Sequence, residues 1–149
     1  MREIVFRGKR VENGEWIEGG YFDGSRFPLI VPHIRLTDFI NKYTTFDGHE
    51  VVRETVGQST GMKDKNGETI FEGDILKIEK VTDSLGTYYS PPVQYPVNVV
   101  VKWDVCAWEW ETVGETKLHI HFPEAWCHYQ CEIIGNIHDN PELLGGTAK

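Results

Sequence analysis

The sequence predicts a mostly β protein, an antiparallel meander followed by a small barrel of the SH3-like kind, with little helix. Three observations carry this expectation. Short alternating or β-branched stretches recur along all 149 residues. The 15 glycines and 7 prolines fall between those stretches as turn signals. Apolar positions almost never recur with the 3.6-residue period of a helix.

Taken in order, residues 3–9 read as a strand with Ile4 and Phe6 on one face and Arg7 and Lys9 nearer the other. Asn13 and Gly14 make a hairpin turn, since both central positions of a type I′ turn need positive φ. Residues 15–18 return, Gly19 and Gly20 end or bulge the strand, and Asp23-Gly24 turns the chain again. Residues 27–34 are apolar but hold Pro28 and Pro32, which restricts them to an edge strand or an extended loop. Residues 36–43 fit a short helix started by Thr37 or Asp38. Residues 51–56 are β-branched and read as a strand, and residues 57–61 bring the chain round.

A second hairpin turn is expected at Asn66-Gly67, followed by a short strand at 68–71. Glu72, Gly73 and Asp74 form a turn whose carboxylate can accept backbone N–H groups, and 75–81 is the next strand. Residues 82–96 form a long loop in which Tyr88, Tyr89 and Tyr95 alternate with Pro91, Pro92 and Pro96. Val97, Val99, Val101, Trp103 and Val105 then share one apolar face, which makes Trp103 a core residue. Residues 107–113 place Trp108 and Trp110 on one face and Glu109 and Glu111 on the other, a solvated one. Residues 116–122 set Leu118, Ile120 and Phe122 against His119 and His121, and 131–137 is the last strand. Two subdomains follow from this order, a meander over residues 1–60 and a barrel-like part over 61–149, which also fit one compact unit.

Composition removes several classes. A net charge of −8, from 15 Lys+Arg against 23 Asp+Glu, argues against coating nucleic acid. No apolar run approaches the roughly 18–20 residues that span a bilayer, so no membrane association is expected. The opening residues lack the apolar stretch of a signal peptide, and cytoplasmic residence is the expectation. Three cysteines cannot close a disulfide framework.

The constellations with chemical potential are few. His119 and His121, followed by Cys127 and Cys131, hold ligand types that zinc accepts, though a Cys-x3-Cys spacing is not the usual knuckle. The competing reading makes the histidines solvated and the cysteines small core hydrophobes. Ser59, Ser84 and Ser90 sit in turns without a nucleophile elbow, and no glycine-rich stretch matches a phosphate loop. No cofactor is expected. Arg2, Arg7, Lys9 and Arg10, with Trp16 nearby, could meet nucleic acid, but protection of an edge strand by cations is the favoured explanation. Trp108 and Trp110 are core or, where a small fold cannot bury them, a subunit contact.

Three blocks resemble the YopX family. They are residues 2–16, with Arg2, Ile4, Phe6, Gly8, Gly14 and Trp16; residues 55–75, TVGQSTGMKDKNG running into Ile70-Phe71-Glu72-Gly73-Asp74-Ile75; and residues 132–144, EIIGNIHDNPELL. They lie at the start, middle and end of the chain. The resemblance implies a small, mostly β protein encoded by bacteriophages and prophages of Gram-positive hosts, and it supplies no catalytic residues. It also implies that the segment between the second and third blocks is variable, so the histidine and cysteine chemistry is not lent by the family. The shared glycines suit backbone geometry and read as scaffold.

A non-enzymatic accessory protein that self-associates, and that binds a phage or host protein, is therefore the leading expectation. A nucleic-acid or nucleoprotein binder using the basic N-terminal strand is the alternative, and a metal-dependent enzyme built on the His/Cys group stands third. The leading reading predicts purified protein without stoichiometric zinc and with a melting temperature unchanged by chelation. One zinc per chain would transfer His119, His121, Cys127 and Cys131 to a metal site.

Overall fold

The computed structural model describes residues 4–24, 27–32, 48–81, 96–104, 107–113, 119–121 and 129–145. The proposed helix at 36–43, most of the loop at 82–96, Arg2 and Cys127 lie outside them. The described chain is mostly β, as predicted, and its strands form two antiparallel sheets. It divides into two compact units, Met1–Gly61 and Met62–Lys149.

In the first unit, β1 (Phe6–Lys9), β2 (Trp16–Asp23), β3 (Pro28–Val31), β4 (His49–Glu50) and β5 (Gly57–Lys63) run in the order β4-β3-β2-β1-β5. The turn at Gly14 (φ 72°) joins β1 to β2, in register Lys9 to Trp16 and Phe6 to Gly19. Ile30 and Val51 are fully buried here. Gly8 lets them close in, since a Cβ at that position would lie 3.1 Å from Ile30 Cδ1 and 3.2 Å from Val51 Cβ.

Four expectations fail in this unit for local reasons. β1 is an interior strand between β2 and β5, so its cations do not guard an edge. β3 is likewise flanked on both sides, by β2 and β4. Pro28 fits because it stands first in the strand, where only its carbonyl is used, accepting the Val51 N–H at 3.1 Å. Residues 51–56 are not a strand. Val51 bridges Arg10, and Arg53–Thr55 is a 3-10 turn. The Thr55 hydroxyl accepts the Lys9 N–H at 2.9 Å and donates to the Val52 carbonyl at 2.6 Å, replacing the ladder that β-branched residues would otherwise favour. Residues 57–61, expected as a turn, belong to β5, with Gly57 opposite Arg7 and Gln58 opposite Phe6. Gly61 supplies the positive φ (75°) that bends this strand, and its N–H is accepted by Ser59 Oγ.

The second unit begins within β5. A turn at Gly67 (φ 86°) leads to β6 (Thr69–Phe71), and a second at Gly73 (φ 82°) leads to β7 (Asp74–Val81). As anticipated, the Asp74 carboxylate accepts a turn N–H, that of Phe71, at 2.8 Å. β8 (Val97–Asp104), β9 (Ala107–Thr112), β10 (His119–His121) and β11 (Tyr129–Asn136) complete a sheet in the order β10-β9-β8-β7-β11. Its end strands β10 and β11 are not paired to each other, so among the described residues the sheet is open and the predicted barrel does not close.

One face of this sheet carries a core of Ile70, Leu76, Ile78, Val99, Val101, Trp108, Trp110 and Cys131. Trp103 is not part of it. It is 49% exposed at the end of β8, its ring 4.9 Å from that of Trp108 in an edge-on arrangement at 73°. The alternating pattern is right for β8, but the core stops one pair short of its end.

Asp64 ties the β5–β6 turn to β11. Its Oδ1 accepts the N–H groups of Asn66 (2.8 Å) and Glu68 (3.0 Å), and its Oδ2 that of Ile133 (3.1 Å). Burial pushes the Asp64 carboxyl up, and the hydrogen bonds from Ile133, Glu68 and Asn66 outweigh it, leaving the group below its ordinary value. A depressed carboxyl adds stability at pH values above its unfolded pKa and loses it as pH falls through the folded one. Asp64→Ala is therefore expected to cost about 2–3 kcal/mol near pH 7, since three donors lose their acceptor. In denaturant titrations the gap to the wild type should close as the acid limb is reached, and a gap independent of pH would refute this role.

Candidate functional site

The second face of the five-stranded sheet is buried in part. Val100 is buried at 6% exposure, and so are Glu109 and Glu111, which overturns the expectation that these glutamates are solvated. Register places Glu111 opposite Val100 and Glu109 opposite Lys102, so the four share one face. Lys102 Nζ donates to Glu111 Oε2 in an ion pair across the two strands.

A cleft of about 280 Å³ opens here, lined by Val100, Lys102, Glu111, Thr112, Val113, Ile137 and Leu144. Its outer wall, Ile137 and Leu144, comes from the segment after β11, and the sequence explains why that segment folds back. Ile137 donates its N–H to the Gly73 carbonyl at 2.9 Å, while the Gly73 N–H reaches the Val101 carbonyl at 2.9 Å. Asn136 Oδ1 then accepts the N–H groups of His138 and Asp139 at 2.9 Å each, closing a turn. Asn140 Oδ1 accepts the Asn136 N–H at 3.3 Å. Pro141 opens a 3-10 turn, Pro141–Leu144, and Gly145 ends it at φ 67°. Gly135 is required by this arrangement, because a Cβ there would lie 2.4 Å from Asn140 Oδ1.

Chemically, the cleft offers an apolar wall of four aliphatic side chains with a charged pair at one end. Such a site holds a compact group by shape and charge. The sequence reading missed it, although one signal is present. Val100 interrupts the alternation of β8 by placing an apolar residue on the supposedly polar face.

The predicted site residues are distributed as follows. His119 and His121 lie on β10, in register with Glu111 and Glu109. Cys131 lies on β11, the opposite end of the sheet order. Its thiol is buried and free, and burial pushes it up to about 12, so it is a core residue with little thiolate. Among the described residues no group of three or more His, Cys, Asp or Glu is placed to hold a metal. Trp108 and Trp110 are both in the core, at 8% and 0% exposure. In the first unit the guanidinium of Arg7 lies 4.8 Å and the ammonium of Lys9 5.5 Å from the Trp16 ring centre. Arg10 is engaged with Glu12 and Glu15.

The family model described as YopX protein matches residues 5–145. This chain belongs to the YopX family. Among solved structures it is similar to protein EF1440 from Enterococcus faecalis, at a TM-score of 0.54 and 27% identity over 97% of this chain and 99% of that one. A search of curated proteins gave no match. The resemblance read from the three sequence blocks is thus borne out. In this YopX protein the second and third blocks meet at the Gly73–Ile137 hydrogen bond. The third block also supplies Ile137 and Leu144 to the wall of the cleft.

Gly135→Ala should destabilise the second unit by about 1–3 kcal/mol through overpacking against Asn140. Asn140→Ala removes the two closest atoms, Oδ1 and Cγ, and leaves Cβ at 3.0 Å, so the double variant should be less destabilised than the sum of the two single ones in denaturant unfolding. Additive costs would contradict the contact.

Proposed function

We propose that this YopX-family protein is a phage or prophage accessory protein of the host cytoplasm. It acts as a binding and assembly module without catalysis of its own. The observation that carries this reading is the cleft of the second unit, where aliphatic walls surround a Lys102–Glu111 pair whose members hold each other. Groups committed to mutual neutralisation suit recognition of a partner polypeptide better than turnover. Self-association draws on Trp103, a large ring left 49% exposed at the end of β8, since tryptophan is enriched at subunit contacts.

A second reading, contact with nucleic acid, draws support from the Arg7, Lys9 and Trp16 group on one face of the first unit's sheet. It is the lesser of the two, because cations held over the Trp16 ring occupy a face on which a base would stack.

Light scattering on the purified 17.1 kDa chain should give a mass above that of a monomer at high micromolar concentration, reduced by Trp103→Ala. A monomer throughout would remove self-association. A salt-sensitive gel shift lost in Arg7→Ala with Lys9→Ala would instead favour the nucleic-acid reading.

A further inference from the structure

The geometry points to a hinged flap over the cleft: residues 141–145 lift from it and close on it about Asn140, while Ile137 stays in place as the fixed wall. This inference rests on the reading of the cleft as a binding surface and describes how access to it is controlled. The two residues that the C-terminal segment places in the cleft are anchored very differently. Ile137 donates its N–H to the Gly73 carbonyl at 2.9 Å and so is fastened to the β6–β7 turn. Leu144 sits at the far end of the 3-10 turn Pro141–Leu144, in which no residue is buried. It lines the cleft and is nevertheless 36% exposed.

The hydrogen bonds divide at the same place. Asn140 is seated on the end of β11: its N–H reaches the Asn136 carbonyl at 2.9 Å, its Oδ1 accepts the Asn136 N–H at 3.3 Å, and Gly135 leaves room for its side chain. Beyond Asn140 the bonds turn inward. Leu143 donates to the Asn140 carbonyl at 3.0 Å, and Glu142 Oε1 accepts from Asn140 Nδ2 at 3.3 Å. Pro141 has no N–H to offer. Among the described residues, these bonds of the turn reach no further than Asn140, so lifting the turn from the sheet breaks none of them. What opposes lifting is the apolar contact of Leu144 and the approach of Gly145 to Val113, where a Cβ on the glycine would lie 3.8 Å from Val113 Cγ1. A segment held by so little buried apolar surface opens far more easily than the whole fold. Closed, the cleft holds about 280 Å³, just under the roughly 300–1,000 Å³ of ligand pockets, and withdrawing Leu144 removes one wall and enlarges it.

The test uses the full chain and two readouts. A lifted turn of four residues does not keep its own hydrogen bond, so amide exchange at Leu143 reports lifting. After correction for intrinsic rates, Leu143 should exchange about tenfold or more faster than Ile137. Leu144→Ala should speed Leu143 further and leave Ile137 unchanged. The second readout locks the flap with a disulfide in Val113→Cys/Gly145→Cys, prepared with Cys106→Ser and Cys127→Ser so that only buried Cys131 remains besides the pair. Oxidation should slow Leu143 towards the rate of Ile137. Cyclohexanol, a neutral apolar probe, should shift the Val100 and Ile137 amides of the reduced form and bind the oxidised form about tenfold or more weakly. Exchange at Leu143 as slow as at Ile137 would overturn the flap. Cyclohexanol entering the oxidised form as readily as the reduced one would overturn the gate and leave the cleft a binding surface. Cyclohexanol entering neither form would remove the cleft as a binding surface and the gate with it. Should the locked variant fail to fold, the exchange comparison on the wild type still decides.

Discussion

The second unit depends on a single glycine. Gly73 sits at φ 82°, donates to Val101 in β8 and accepts from Ile137 beyond β11. A Cβ at this position would come within 3.4 Å of Ile137 Cγ1, and an L residue would resist the backbone angle itself. Through these two hydrogen bonds the β6–β7 turn is held to the centre of the sheet and the C-terminal segment to the turn. That hold is what brings Ile137 and Leu144 to the cleft beside Glu111.

This gives the shared glycines a more specific meaning than turn formation. Gly67 does make a turn and little else, with nothing near the place a Cβ would occupy. Gly135 instead allows the close approach of the nearby Asn140 side chain, and Gly73 supplies the positive φ at which the β6–β7 turn meets Val101 and Ile137. The residues that fix the backbone lie in the second and third blocks, while Val100, Lys102 and Glu111 stand on strands between them.

How much was legible follows from which forces are local. β7, β8 and β11 were readable because alternation of side chains across a strand is a local property. So was the Asp74 turn. Residues 51–61 were read in the wrong sense, strand then turn, because Thr55 and Gly57 find their partners in β1, some 46 and 50 positions away in sequence. β1 looked like an edge because its cations match the habit of edges, yet strand order is set by pairings that charge content does not report. The cleft was hidden for a related reason. Glu109 and Glu111 carry the signature of a wet face, yet both are buried, and side chains from the distant C-terminal segment line the cleft at Glu111.

Cys131 draws a different consequence from the same sheet. The residue is 2% exposed in a core of aliphatic and indole side chains, with its thiol pushed up to about 12 by burial. Alkylating reagents and peroxides attack the ionised sulfur, so this one is inert for as long as β7 and β11 stay paired. Separation of those two strands is therefore the event that would make the residue chemically visible, and its modification rate becomes a clock for the opening of the second unit.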